Sequence, residues 1–357
     1  MEDNILHDFS NEQLKVSIYD GAAEKRTMYY QGHRYMLKFG YLLDSSKRET
    51  SRTSYINIPV NEFIGSRIFK TAGLPTQDVL LGTYRGQSVV ACRDFMEELD
   101  PSWKLIHFKQ LEISMPGESG KSKARPDWEY VKHVLDDSQD IESIRSETGH
   151  RFYQMICVDA LIGNYDRHSN NWGFIADGQA NIRGLAPVYD CGSSLMPHLS
   201  HDEMLNRLKD PKLMKQANID SPTLAMNVHG KRRKYSFFMT STYASEFRRE
   251  LPSIWDKISE ERINRIIEEA PGLDNLHKDF YKATLDARRR YVLAPALEMA
   301  LDERNLSVAT AENRPSLSES ALENDGQSDE VHILPNPNPG IDPDGINPMG
   351  DSDFGMH

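Results

Sequence analysis

Asp166 and Asn171 stand five residues apart in one short polar segment, Gly163-Asn164-Tyr165-Asp166-Arg167-His168-Ser169-Asn170-Asn171-Trp172. A third oxygen-bearing side chain, Asp190, follows 19 residues after Asn171 in Pro187-Val188-Tyr189-Asp190-Cys191-Gly192. Arg145 to Leu161, just before the segment, carries apolar residues at helical spacing. The interval before Asp190 holds two β runs around the turn Ala176-Asp177-Gly178. The chain must therefore run helix, polar loop, hairpin, turn. A β-hairpin fits between Asn171 and Asp190.

The first hundred residues read as strands with one helix. Leu14 to Tyr19 largely alternates apolar and polar side chains, and Gly21-Ala22-Ala23 follows as a small-residue turn. Met28-Tyr29-Tyr30, then Gln31-Gly32, then Arg34 to Phe39 predicts a hairpin. Asn61 to Ala72 has its apolar residues on one helix face and is stopped by Gly73. Asp78 to Thr83 and Gln87 to Cys92 are two more strands around Arg85-Gly86. From about Pro101 the pattern turns helical, over Arg145–Leu161, Glu203–Ala217, Glu260–Glu269 and His277–Ala300, and only Trp172 to Asp190 returns to strand character. Ser114 to Arg125 reads as a mobile polar loop. The expected class is α+β, with a β-rich lobe over 1–96, a helical lobe over 97–304 and an acidic disordered tail over 305–357.

Composition narrows the partners. Apolar residues make up 38% and charged residues 27% of the 357, which suits a globular chain. The net charge is -12, and ten carboxylates against Arg314 after Leu306 give the tail -9, leaving -3 for the rest. Direct binding to nucleic acid is not expected of such a chain. Cys92, Cys157 and Cys191 form no C-x-x-C pair, so a zinc site of the usual cysteine spacing is not expected, and a reducing compartment is. No run of about 18 apolar residues offers a membrane span. Met1-Glu2-Asp3-Asn4 lacks an apolar stretch, so a cytoplasmic location is expected, with export by a signal-less route as the alternative.

The chemistry of the constellation is that of phosphoryl transfer from ATP. Such a site needs a carboxylate to orient the acceptor hydroxyl and a neutral oxygen ligand for magnesium, and kinase loops supply them as Asp and Asn five positions apart. Asp166 and Asn171 match, with His168 beside them as a further catalytic candidate. A second carboxylate on the metal comes from an Asp-x-Gly, here Asp190-Cys191-Gly192. Lys38 closes the apolar run Tyr35-Met36-Leu37, where a cation is costly without a partner. Phosphates and Glu62, early in the Asn61–Ala72 helix, are the candidate partners. Gly21, Ala22, Ala23 and Lys25 lie between two strands and are the candidate phosphate-covering loop, although they match neither G-x-G-x-x-G nor a Walker loop. Each element alone has a plainer explanation: a surface turn, a salt-bridge cluster, a snorkelling lysine. Their order along one chain is what points to a kinase.

The segments Gly21–Lys25, Leu161–Phe174 and Ala186–Ser193 resemble the HipA-like serine/threonine kinases, within them the CtkA-type branch of bacterial pro-inflammatory kinases, and Leu80 to Phe95 resembles that branch too. The resemblance spans roughly residues 14 to 300. It implies a bilobal protein-kinase-like fold with a small β-rich N-lobe and a larger helical C-lobe. It implies Asp166 as catalytic base, Asn171 and Asp190 as magnesium ligands, Lys38 on the phosphates of ATP, and the backbone around Cys92, Arg93, Asp94 and Phe95 as the hinge that reads adenine. Members of the family act as bacterial toxins or effectors on protein substrates, and many autophosphorylate. The serine often phosphorylated before the loop glycine is replaced by Ile18, with Ser17, Tyr19 and Thr27 nearby. The chain starts almost directly at the kinase lobe, so an antitoxin-type partner is not indicated. Two rival functions share the motifs: a phosphoinositide-type lipid kinase, and a pseudokinase serving as a binding module. Lys231-Arg232-Arg233-Lys234, the one dense basic run, reads as a solvated loop rather than a membrane face.

Overall fold

The structure is a computed structural model that describes residues 4–16, 25–40, 58–114 and 126–312, with the side chains at 112–114 and 307–312 left aside. The N-terminal part holds β1 (His7–Asp8), β2 (Lys15–Val16), β3 (Lys25–Tyr30), β4 (His33–Phe39), α1 (Ile58–Ala72), β5 (Val79–Tyr84) and β6 (Gln87–Arg93). The strands form one sheet in the order β1-β5-β6-β4-β3-β2. The pairs are antiparallel except β1 with β5. Both expected hairpins turn on two left-handed residues, Gln31 (φ 49°) with Gly32 (φ 83°) and Arg85 (φ 51°) with Gly86 (φ 81°). Such turns match the right-handed twist of the strands they join.

Strand alternation divides the sheet into two faces. Leu80, Val89, Ala91, Leu37 and Tyr35 pack with Phe9 and Met28 in a small cluster. Leu81, Val90 and Cys92 point the other way and join α1 in the main core, which continues into the helical part. Lys38, one residue from Leu37, therefore faces α1. That helix begins at Ile58, three residues before the apolar spacing marks it, and Gly73 (φ 90°) ends it.

The helical part contains β7 (Lys104–His107), α2 (Phe108–Ser114), α3 (Trp128–Asp137), α4 (Arg145–Ile162), β8 (Gly173–Ala176) and β9 (Ile182–Leu185). It continues with α5 (His201–Lys209), α6 (Pro211–Asp220), β10 (Thr223–Val228), β11 (Lys231–Lys234), α7 (Tyr235–Met239), α8 (Ser245–Ile254), α9 (Glu260–Glu268), α10 (Asn275–Arg288) and α11 (Ala294–Glu312). Eight consecutive residues of α4, Met155 to Ile162, are buried, as expected of a helix surrounded by others.

Several expectations are corrected. Glu203–Ala217 is two helices, because Asp210 caps α6 by accepting from the amides of Lys212 and Leu213, and Pro211 cannot donate backward into α5. His277–Ala300 is broken by a π turn at Arg289–Leu293, next to Pro295, which lacks the amide a regular turn requires. Lys231–Lys234 is not a loop but the strand β11, paired with β10. Four consecutive cations show no apolar alternation, and a two-stranded hairpin tolerates them. Trp172–Asp190 is not the sole return to strand in this part, since β7 pairs with β8 as well. The helix α11 runs past residue 305, where the tail was expected to begin. The remaining tail, the Gly21-Ala22-Ala23 turn, Ser17, Ile18, Tyr19 and most of the Ser114–Arg125 segment lie outside the described residues. Among the described residues no helix is long and apolar enough to cross a membrane.

Candidate active site

Two separate pieces of the fold converge on Lys38 of β4. Its ammonium is 3.0 Å from Glu62 Oε2 on α1 and 2.9 Å from Asp190 Oδ1 after β9. Burial opposes the charge, but the carboxylates of Asp190 and Glu62 outweigh it and hold Lys38 well above its ordinary pKa. Burial likewise pushes Asp190 upward; the Lys38 and Lys25 charges outweigh it and bring that carboxyl down to about 2. Lys25 is the register partner of Lys38 on β3, so two cations approach from neighbouring strands.

Glu62 does more than pair with Lys38. Its Oε1 accepts from the Cys191 amide and its Oε2 from the Gly192 amide, both at 2.9 Å, and it is fully buried. A carboxylate on α1 thus fixes the backbone that follows Asp190. The neighbouring Asn61 donates to the Ser194 carbonyl at 2.7 Å and accepts from Tyr281 of α10 at 2.9 Å. Asp190 itself has φ 58°, a left-handed conformation uncommon for a residue with a side chain. Such strain persists where the surroundings over-determine it, and the two bonds to Glu62 do so here.

The loop after α4 begins at Gly163, whose left-handed backbone (φ 70°) ends the helix. Arg167 is buried at its centre. Its guanidinium binds both oxygens of Asp159, at 2.8 and 3.1 Å, and donates to the carbonyls of Asn171 (2.8 Å) and Tyr189. The Asn164 amide also donates to Asp159, and the Asn164 side-chain oxygen accepts the Asp166 amide. Arg167 therefore ties the loop of Asp166 and Asn171 to the residue before Asp190. The Tyr189 hydroxyl, bonded to the Asn170 carbonyl and to His107, adds a second tie.

Within the loop, Asn171 Nδ2 donates to the Asp166 carbonyl at 2.8 Å, which turns its amide oxygen away from that bond. The Asp166 side chain is partly exposed. His168 Nε2 lies 3.8 Å from Asp166 Oδ1, and its Nδ1 accepts the Asn170 amide. His168 is thus placed beside Asp166 rather than in a hydrogen bond with it.

The expected hinge residues lie at the end of β6 and just after it. Cys92 is buried and paired with Met36 and Val79 inside the sheet, and burial pushes its thiol far up. The Arg93 amide donates to the Asp78 carbonyl and the Asp94 amide to the Arg34 carbonyl. These donors are already used within the protein. Phe95, next in the chain, has its ring 6.1 Å from that of Tyr189. A cavity of about 600 Å³ opens between α1 and α9, lined by Arg67, Lys70, Arg262 and Arg265 among others, on a different face of α1 from Glu62.

Asp159, Asn164 and Arg167 were passed over in the sequence. The available signal was Asp159 itself, an acid inside the apolar run Cys157-Val158-Asp159-Ala160-Leu161, where an unpaired charge is costly.

Residues 13–272 match the HipA-like C-terminal domain family. The serine/threonine-protein kinase CtkA of Helicobacter pylori (strain J99) is 28% identical over 301 residues, which is 83% of this chain and 90% of the relative. A crystal structure of a Helicobacter pylori proinflammatory kinase CtkA superposes with a TM-score of 0.72 at 26% identity, covering 84% of this chain and 99% of that one. The sheet-rich N-terminal part and the larger helical part are thus the two lobes of a kinase-like fold.

Proposed function

The chain belongs to the HipA-like C-terminal domain family, and we propose that it is an ATP- and magnesium-dependent serine/threonine protein kinase that also phosphorylates itself. The observation that carries this reading is the convergence of Lys38, Glu62 and Asp190, with Arg167 tying the Asp166–Asn171 loop to the same point. Kinship to a serine/threonine-protein kinase supports it.

The donor set suits magnesium. Asp190 stays ionised far below neutral pH, and the Asn171 amide has its oxygen free of the bond its nitrogen makes to Asp166. Hard carboxylate and amide oxygens are what this ion prefers. Asn171 and Asp190 would hold it, and the bound ion would neutralise charge on the phosphates. Lys38, braced by Glu62, holds phosphate oxygens of the nucleotide, with Lys25 adding charge from the next strand. Asp166 orients the acceptor hydroxyl of a protein substrate and takes its proton. His168, 3.8 Å from Asp166 Oδ1, is a further catalytic candidate beside it. Phe95 and Tyr189 flank the adenine end.

Purified protein incubated with labelled ATP and magnesium tests the reading. Label should pass to the chain itself and to added protein on serine or threonine. Asp166→Ala should cut transfer by about 10²-fold or more, since general-base assistance is worth that much. Asp190→Ala should weaken magnesium-dependent nucleotide binding. Labelling of phosphoinositide vesicles alone would favour a lipid kinase. Absence of transfer to any acceptor, with nucleotide still bound, would leave a binding module.

A further inference from the structure

His201 and His277 stand on different helices, yet their rings meet edge to face with centroids 5.1 Å apart. His201 opens α5 and His277 lies in the first turn of α10, and these helices pack together. Asp274, the cap of α10, accepts at Oδ1 from the His277 amide and from His277 Nδ1, each at 2.9 Å. One donor atom from each of the three residues lies within 4.8 Å of the other two, a grouping found nowhere else among the described residues.

Capping accounts for Asp274, and the Asp274 bond accounts for the His277 ring. Neither accounts for His201. Two imidazole nitrogens with one carboxylate oxygen are the donors of zinc-class ions; magnesium and calcium take oxygen alone.

We propose that His201, His277 and Asp274 bind a divalent zinc-class cation that pins the start of α5 to α10. The pinned helix begins eleven residues after Asp190. The same stretch carries His198, which is 3.1 Å from the Tyr165 hydroxyl of the loop. One turn beyond His277, Tyr281 holds Asn61, the neighbour of Glu62. The ion therefore braces the segment that leaves the active site.

Tag-free protein, stripped with chelator, is titrated with zinc against a chromogenic chelator and with cobalt followed by its visible absorption. Wild type and Asp190→Asn should each take up one ion per chain. His201→Ala and His277→Ala should weaken uptake on the order of tenfold or more. Asp274→Asn keeps the helix cap, since Asn caps as well as Asp, and should still lose affinity. Zinc should raise the melting temperature of wild type but not of His201→Ala, whose side chain is exposed and whose metal-free melting should match wild type. The proposal is overturned by absence of stoichiometric uptake. It is equally overturned by uptake unchanged in His201→Ala and Asp274→Asn, or lost only in Asp190→Asn.

Discussion

The ammonium of Lys38 stands 2.9 Å from Oδ1 of Asp190, so the cation proposed to hold phosphates and the carboxylate proposed to hold a metal neutralise each other. Glu62, fully buried, shares the same ammonium. Lys38→Met would leave two carboxylates facing each other without their cation. Breaking a buried pair on one side costs about 3–5 kcal/mol, and losing a preorganised charge at the reacting group costs about 10²-fold or more in rate. Both should appear, in urea denaturation and in phosphotransfer. Near-normal transfer by Lys38→Met would remove Lys38 from the site.

The same pair sets a pH window. The Asp190 carboxyl is depressed from 3.8 to about 2, so the stability it contributes is complete above its ordinary value and fades as the pH falls toward the folded one. The Lys38 value is raised, so its contribution is complete below 10.5 and is lost only as the pH climbs through the higher folded value. Urea melts of wild type and Lys38→Met should therefore differ by a constant amount near neutrality, and the gap should close below about pH 4. A gap that persists down to about pH 2 would mean the pair does not titrate as a unit.

Arg167 and Asp159 are both without solvent exposure and joined by two hydrogen bonds. Arg167→Met strands the Asp159 carboxylate in the core and should destabilise the chain by about 3–5 kcal/mol. Arg167→Met combined with Asp159→Asn should recover part of that, because the uncompensated charge is gone. A loss under about 1 kcal/mol for the single change would show the pair to be no more than a surface bridge.

Gly65 marks a close approach of α1 to the Asp-Cys-Gly turn. A Cβ there would sit 2.8 Å from Cys191 Cβ, against side chains fixed on both sides. Gly65→Ala should cost about 1–3 kcal/mol and lower transfer by pushing Glu62 off Lys38 and the Cys191 and Gly192 amides. Gly149, in α4, meets only Tyr153 at 3.5 Å, and Gly149→Ala should stabilise by roughly 0.5–1 kcal/mol. Melting temperatures of the two variants should move in opposite directions; a shared direction would sink the packing argument.

The N-terminal hairpins were legible because Gln31-Gly32 and Arg85-Gly86 supply the backbone that such turns require. The helix before the loop was legible from its apolar spacing and its glycine stop. Less was legible where one residue overrode periodicity. Pro211 divided one expected helix, a π turn interrupted another, and β11 went unseen because its four cations carry no apolar signal. In the site, Lys38, Glu62 and Asp190 were named from residue type and order, and they meet. Asp159 and Arg167 were not named as a pair, although eight residues apart, since nothing local says which of several charges will be buried together.

Order along the chain settles which kinds of side chain reach a cleft, because turns, strand parity and helix ends act over a few residues. It selected Lys38 for the α1 face of β4 and brought Asp190 back beside its loop. Long-range packing settled the rest. Glu62 reaches the amides of Cys191 and Gly192 across 129 and 130 residues of chain, and Asn61 joins Ser194 to Tyr281. Such contacts depend on how whole elements close over a shared core, and a buried charge finds its partner only once water has been excluded.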